Sequence, residues 1–186
     1  MAPPIRVSFV GCERGRYHVE RIAAVRGEPL APVIAVERYE GTFSPPTDIQ
    51  PAWSLRGTTG HQRYAEQREA KALAAISPAL GRSKATCAAL IPIRKSEAWW
   101  DLAQDERRAI LEQRSHHIAI GMSYLPAVAR RLYHARELGE SFDFLTWFEY
   151  APSDASRFDE LVAALRDSEE WRYVDREVDI RLRAVD

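Results

Sequence analysis

An α+β fold built on an antiparallel sheet is what the sequence predicts, and three observations predict it. Short segments with strand-like alternation flank stretches of helical texture, in the order β-α-β-β-α-β through the second half. A composition shift near Gly81-Arg82-Ser83-Lys84 separates that half from one punctuated by Pro, Gly and Thr. The 186 residues suffice for one core burying roughly 70% of the unfolded surface, so 1–85 and 86–186 are expected to be two halves of one compact domain.

In the first half, Ile5 to Gly11, Val19 to Val25 and Val33 to Val36 read as strands, and Phe43-Ser-Pro-Pro-Thr-Asp48 as a loop. Helical texture begins around Gln62, runs through Tyr64 to Ile76 on Ala, Glu, Lys and Gln, and stops at Pro78 and Gly81. The apolar run Ala88 to Ile93 fits a buried strand. A helix begins near Ser96 and resumes from Gln104 to Tyr124, before Pro126. Ala129 to His134 is the next strand.

After a turn at Gly139, Phe142, Phe144, Thr146, Phe148 and Tyr150 alternate with Asp143, Leu145, Trp147 and Glu149, which predicts a strand with its even-numbered face inward. Ser153 can cap a helix whose Phe158, Leu161, Val162 and Leu165 share one buried face. In the last strand Val174, Val178, Ile180, Leu182 and Ala184 alternate with Asp175, Glu177, Asp179, Arg181 and Arg183, predicting one buried and one solvated face. The order is that of a ferredoxin-like unit, and the first half could be a shortened copy.

Composition narrows the function classes. With 26 Lys plus Arg against 27 Asp plus Glu, no global field attracts nucleic acid or an anionic membrane. No apolar run reaches the 18 or so residues of a membrane span, and Met1 to Gly11 lacks a secretory pattern, so the expectation is a soluble, cytoplasmic protein. Cys12 and Cys87, 75 positions apart, argue against zinc, iron-sulfur or dithiol sites. Phosphate-loop, nucleophile-elbow and His-Glu-X-X-His motifs are all missing.

The residues that could carry chemistry lie in the second half. His116 and His117 point about 100° apart on a helix, and His117 shares the stripe of Ile110, Ile120, Gly121 and Tyr124. It is the inward candidate, as a ligand or as a hydrogen-bonded core histidine. Gly121 costs about 1 kcal/mol relative to Ala inside a helix, which suggests close approach of something flat or bulky. Arg130 and Arg131 must face opposite sides of their strand, and an inward one needs an anionic partner, an acidic side chain being the ordinary choice. Lys95 ends a strand, and Trp99 and Trp100 fit core packing and an aromatic wall equally well.

Taken in order, Ile91-Pro-Ile-Arg-Lys95, Trp99-Trp100, Ser115-His-His117, Tyr124-Leu-Pro126, Ala129-Arg130, Leu132-Tyr-His134, Phe142-Asp-Phe-Leu-Thr-Trp-Phe-Glu-Tyr150 and Glu170-Trp171 resemble chlorite dismutase, the haem-dependent chlorite O2-lyase. The resemblance covers roughly residues 53 to 186, and the length fits the family's short, dimeric lineage, an α+β barrel type. It implies a haem-binding second half, with His117 as proximal ligand to haem b and Arg130 as the distal arginine. Glu170 would bond the ligand imidazole, although in the pair Glu169-Glu170 it otherwise reads as a solvated residue. Lys95 would be the basic member of the proximal network, Tyr64 would lie near the propionates and Trp99 beside the haem.

Ser77 falls where short members often carry a distal glutamine that can hold the arginine. The implied chemistry is oxygen transfer from chlorite to ferric iron, giving a ferryl species and hypochlorite, then recombination to chloride and O2. Partners would be chlorite and a second copy of the chain. The alternatives are a coprohaem decarboxylase-like enzyme and a nonenzymatic haem-binding protein or haem-free regulator of the same fold.

Overall fold

The structure is a computed structural model that describes residues 3–44, 46–60 and 65–185. Among the described residues eight strands close into an antiparallel barrel: β1 (Arg6–Cys12), β2 (Tyr17–Arg26), β3 (Ala35–Glu40), β4 (Trp53–Thr58), β5 (Cys87–Lys95), β6 (Val128–His134), β7 (Phe144–Tyr150) and β8 (Val174–Ala184). Around the barrel they run β4-β1-β3-β2 and then β8-β5-β7-β6, so both halves use the same internal order. The seam between β2 and β8 extends from Tyr17 opposite Ala184 to Arg26 opposite Glu177, whereas the β4 to β6 seam rests on Thr58 opposite His134.

Barrel closure creates two apolar layers, and this revises how β7 and β8 read from sequence. The odd-numbered Leu145 and Trp147 of β7 fill the barrel interior with Phe9, Leu90, Ile180 and Leu182. Phe148 and Tyr150, on the even-numbered face expected to point inward, instead meet Phe158 and Leu161 of α5 (Ala155–Arg166). Both faces of β7 are buried because the barrel covers one and a helix the other. For the same reason Glu177 and Asp179 are not solvated: each is 0% exposed. Arg166 donates to Glu177 at 2.6 Å and to Asp179 at 2.9 Å, meeting the requirement that buried charge be paired.

The remaining helices are α1 (Gln67–Ile76), α2 (Glu97–Asp101), α3 (Gln104–Arg108) and α4 (His117–Tyr124). The sequence predicts one helix from Gln104 to Tyr124, but Ala109–Arg114 winds into a π-helical segment and His116 adopts the left-handed conformation, φ 51°. Two helices result, and His117 is the first residue of the second. Strand β4 was not anticipated, its Trp53-Ser-Leu-Arg-Gly-Thr run being short and mixed. Among the described residues no helix is long and apolar enough to cross a membrane.

Candidate functional site

Where the helical layer stands off the sheet, a pocket opens, with about 1070 Å3 of empty space out to its mouth. Its walls are mainly apolar, including Ile91, Ile93, Leu111, Leu132 and Phe148. Five elements bring sequence-predicted residues to it. Strand β5 ends on Lys95, where a register shift against β8 follows Arg94. Helix α2 contributes Trp99, and α4 opens with His117. Strand β6 presents Arg130, Leu132 and His134 on one pleat face, since alternate residues share a face. Glu170 comes from a 3-10 turn, Glu169–Tyr173, that lies between α5 and β8.

His117, Glu170 and Lys95 form one chain of contacts. The Nδ1 of His117 lies 2.6 Å from Oε2 of Glu170, and Nζ of Lys95 donates to Oε1 at 2.6 Å. The backbone N–H of Glu170 donates to Oγ of Ser115 at 2.8 Å, while the backbone N–H of Lys95 donates to Asp143 at 2.7 Å. The Lys95 ammonium lies 4.6 Å from the Trp99 ring centre and 5.5 Å from that of Trp171.

Burial alone would raise the Glu170 carboxyl, but the neighbouring His117 and Lys95, by charge and hydrogen bond, outweigh it and hold it at about 2. An ionised carboxylate only accepts, so Nδ1 of His117 carries the proton. A ring that coordinates a metal is neutral, and its lone pair is then on Nε2.

Arg130 and Arg131 divide as alternation requires. Arg131 donates to Glu40 at 3.0 Å, which is the acidic pairing expected of one arginine. Arg130 has no hydrogen bond or ion pair with any described residue, and burial pushes its guanidinium down with nothing to counter it. A guanidinium still keeps its proton, so this fixed positive charge in the pocket has no paired anion among the described residues.

Ser77 is exposed at the end of α1, where its N–H bonds Leu73, and does not line the pocket. Tyr64 lies outside the described residues. Sequence reasoning missed the pocket residues Glu177 and His134, and Ser115 behind Glu170. Trp171 donates to Glu177 at 2.7 Å, and only the burial of charged β8 residues beneath α5 would have signalled that contact.

This arrangement fits an iron porphyrin better than a bare metal ion. Among the described residues no cluster of three His, Cys, Asp or Glu could cage an ion. A single imidazole with its second nitrogen locked to a carboxylate suits a metal whose other ligands come from a macrocycle. A Cβ built on Gly121 meets nothing within 4 Å, so one turn beyond His117 the wall recedes as a flat group requires.

Comparison with known proteins agrees with the geometry. The family model described as chlorite dismutase matches residues 46–183. A structure of a dimeric chlorite dismutase from Nitrobacter winogradskyi is 51% identical, with a TM-score of 0.89 over 96% of this chain and 99% of that one. Chlorite dismutase from Ideonella dechloratans is 33% identical over 84 residues, 45% of this chain, and the match spans 27% of that relative's length. The structure of chlorite dismutase from Candidatus Nitrospira defluvii in complex with imidazole is 19% identical, with a TM-score of 0.67 over 96% of this chain and 90% of that one, which is a likeness of fold.

Proposed function

The chain belongs to the chlorite dismutase family, and from that premise we propose that it is a haem b enzyme converting chlorite to chloride and O2. One observation carries the reading: a carboxylate-locked imidazole and a guanidinium with no partner among the described residues line the same apolar pocket, from its helical and its sheet wall. His117 would hold the iron through Nε2, Trp99 would flank the ring, and Tyr64 would reach the propionates. When bound, the group supplies a redox-active iron able to take one oxygen atom from chlorite and return it.

The chain's own residues account for the rest. Glu170 accepts the Nδ1–H of His117, fixes the tautomer and makes the imidazole more electron-rich; Lys95 keeps that carboxylate ionised. Arg130 offsets the desolvation of a small anion entering an apolar site and needs no proton transfer to do so. The same charge would retain a hypochlorite fragment inside the pocket, which would make its recombination effectively intramolecular. The overall change, one chlorite to one chloride and one O2, would balance in atoms and charge.

We also read each half as a ferredoxin-like unit, the first shortened by loss of its crossover helices. The repeated strand order supports this. The dimeric Nitrobacter protein supports a homodimer.

Titrating the purified protein with hemin should give a Soret band, which His117→Ala loses. Chlorite added to the loaded protein in an oxygen electrode should release one O2 per chlorite. Arg130→Ala should keep the Soret band and lose O2 yield. A wild-type protein without the band, or an Arg130→Ala variant with undiminished yield, would overturn the reading.

A further inference from the structure

The backbone immediately before His117 is unusual in two ways. Helix α3 runs into a π-helical segment, and the chain then reverses hand at His116 before α4 begins. A left-handed residue that is not glycine costs roughly 1 kcal/mol or more and persists where its surroundings hold it. His116, the residue at the cap position, makes no side-chain capping bond. The exposed N–H groups of a new helix nevertheless need acceptors.

One acceptor comes from across the break. Oε2 of Glu112 receives the backbone N–H of Ile118 at 2.7 Å, six residues on and next to His117. The carboxylate is also well placed electrostatically, because a helix N-terminus carries partial positive charge. The backbone of Glu112 serves the same end, its carbonyl accepting the N–H of His116 at 3.1 Å. Between these contacts sits Ser115, whose hydroxyl accepts the N–H of Glu170. The stretch 112–118 therefore grips both members of the imidazole–carboxylate pair: Glu112 holds the turn that carries His117, and Ser115 holds the turn that carries Glu170.

We propose that Glu112 is a positioning residue for His117, its side chain capping α4 across the reversed backbone and thereby setting the imidazole's bearing on Glu170. The inference rests on the haem reading above. Releasing the cap frees the first turn of α4, the 2.6 Å contact between Nδ1 and Glu170 lengthens, and the ligand becomes less electron-rich.

Glu112→Ala and Glu112→Gln are compared with wild type after loading with hemin, together with Leu55→Ala, a cavity in the barrel interior away from the pocket. Transfer of haem to excess apomyoglobin and the ferric/ferrous reduction potential are measured. Glu112→Ala should lose haem about tenfold faster, the lower end for outer partners of a ligand, and its potential should move positive because ferric iron is less favoured. Glu112→Gln keeps an acceptor oxygen and should recover most of both properties. Leu55→Ala should lower the melting temperature and leave both unchanged. Wild-type values in Glu112→Ala, or equal shifts in Leu55→Ala, overturn the proposal while the haem reading stands. A wild-type protein that takes up no hemin removes both.

Discussion

Replacing Lys95 by Met removes a charge that has no substitute. Lys95 and Glu170 lie 2.6 Å apart with side chains 4% and 5% exposed, so Lys95→Met leaves a buried carboxylate supported by His117 alone. Removing one partner of a buried pair costs about 3–5 kcal/mol. The carboxyl's environment gives a similar magnitude: held at about 2 rather than its ordinary 4.5, it favours the folded, ionised form by about 3 kcal/mol, shared between His117 and Lys95. The expected loss at pH 7 is therefore about 2–4 kcal/mol.

The pH dependence has a definite sign. Because folding lowers this carboxyl, its stabilisation is complete above pH 4.5 and is lost as pH falls toward 2. At pH 3 about 2 kcal/mol of it is gone in wild type. The variant, with less to lose, should stand closer to wild type at pH 3 than at pH 7. Urea unfolding of both proteins, followed by tryptophan fluorescence at the two pH values, measures the gap. A gap below about 1 kcal/mol at pH 7, or one that stays the same at pH 3, would refute the ion-pair argument.

Gly121→Leu should fold normally, since its side chain enters open space and leucine is the better helix former by under about 1 kcal/mol, yet hemin titration should show weakened uptake. Unchanged affinity would mean the recess does not serve the ring. Phe158→Ala should cost about 3–5 kcal/mol in equilibrium unfolding, because this 0% exposed ring stacks on Tyr150 at 4.5 Å and packs on Phe148 at 5.0 Å. A cost below about 1 kcal/mol would show that α5 is not anchored through this ring.

Legibility in the sequence followed the range of the interaction. Phe158, Leu161, Val162 and Leu165 announced α5 and its buried face because a helix's period lies within a dozen residues. Period two marked β7 and β8 just as clearly, but not which face met what, and Glu177 and Asp179 were assigned to solvent. The helix around His117 was expected to be continuous because its composition is helical throughout. Nothing local to Ser115-His116-His117 signals a left-handed residue; the contacts from Glu112 and Glu170 accompany it.

For the site, His117 could be singled out from its stripe, whereas alternation left open which of Arg130 and Arg131 turns inward; family resemblance chose Arg130 and supplied both implied roles. Glu170 shows the limit most clearly. By its own neighbourhood it belongs to a solvated acidic pair, yet it is 3% exposed with His117 and Lys95 on its two oxygens, partners 53 and 75 positions away. No window of sequence contains all three.

What the chain determined by itself was the β-α-β-β-α-β order of its second half, and which stripes are apolar, because backbone period and side-chain transfer free energy act between near neighbours. Only the closed barrel and its helical cover decided which apolar faces meet, which charges are taken out of water, and that one guanidinium is left facing a cavity. Those outcomes depend on groups brought together from distant positions, whose energies exist only once the intervening chain has folded.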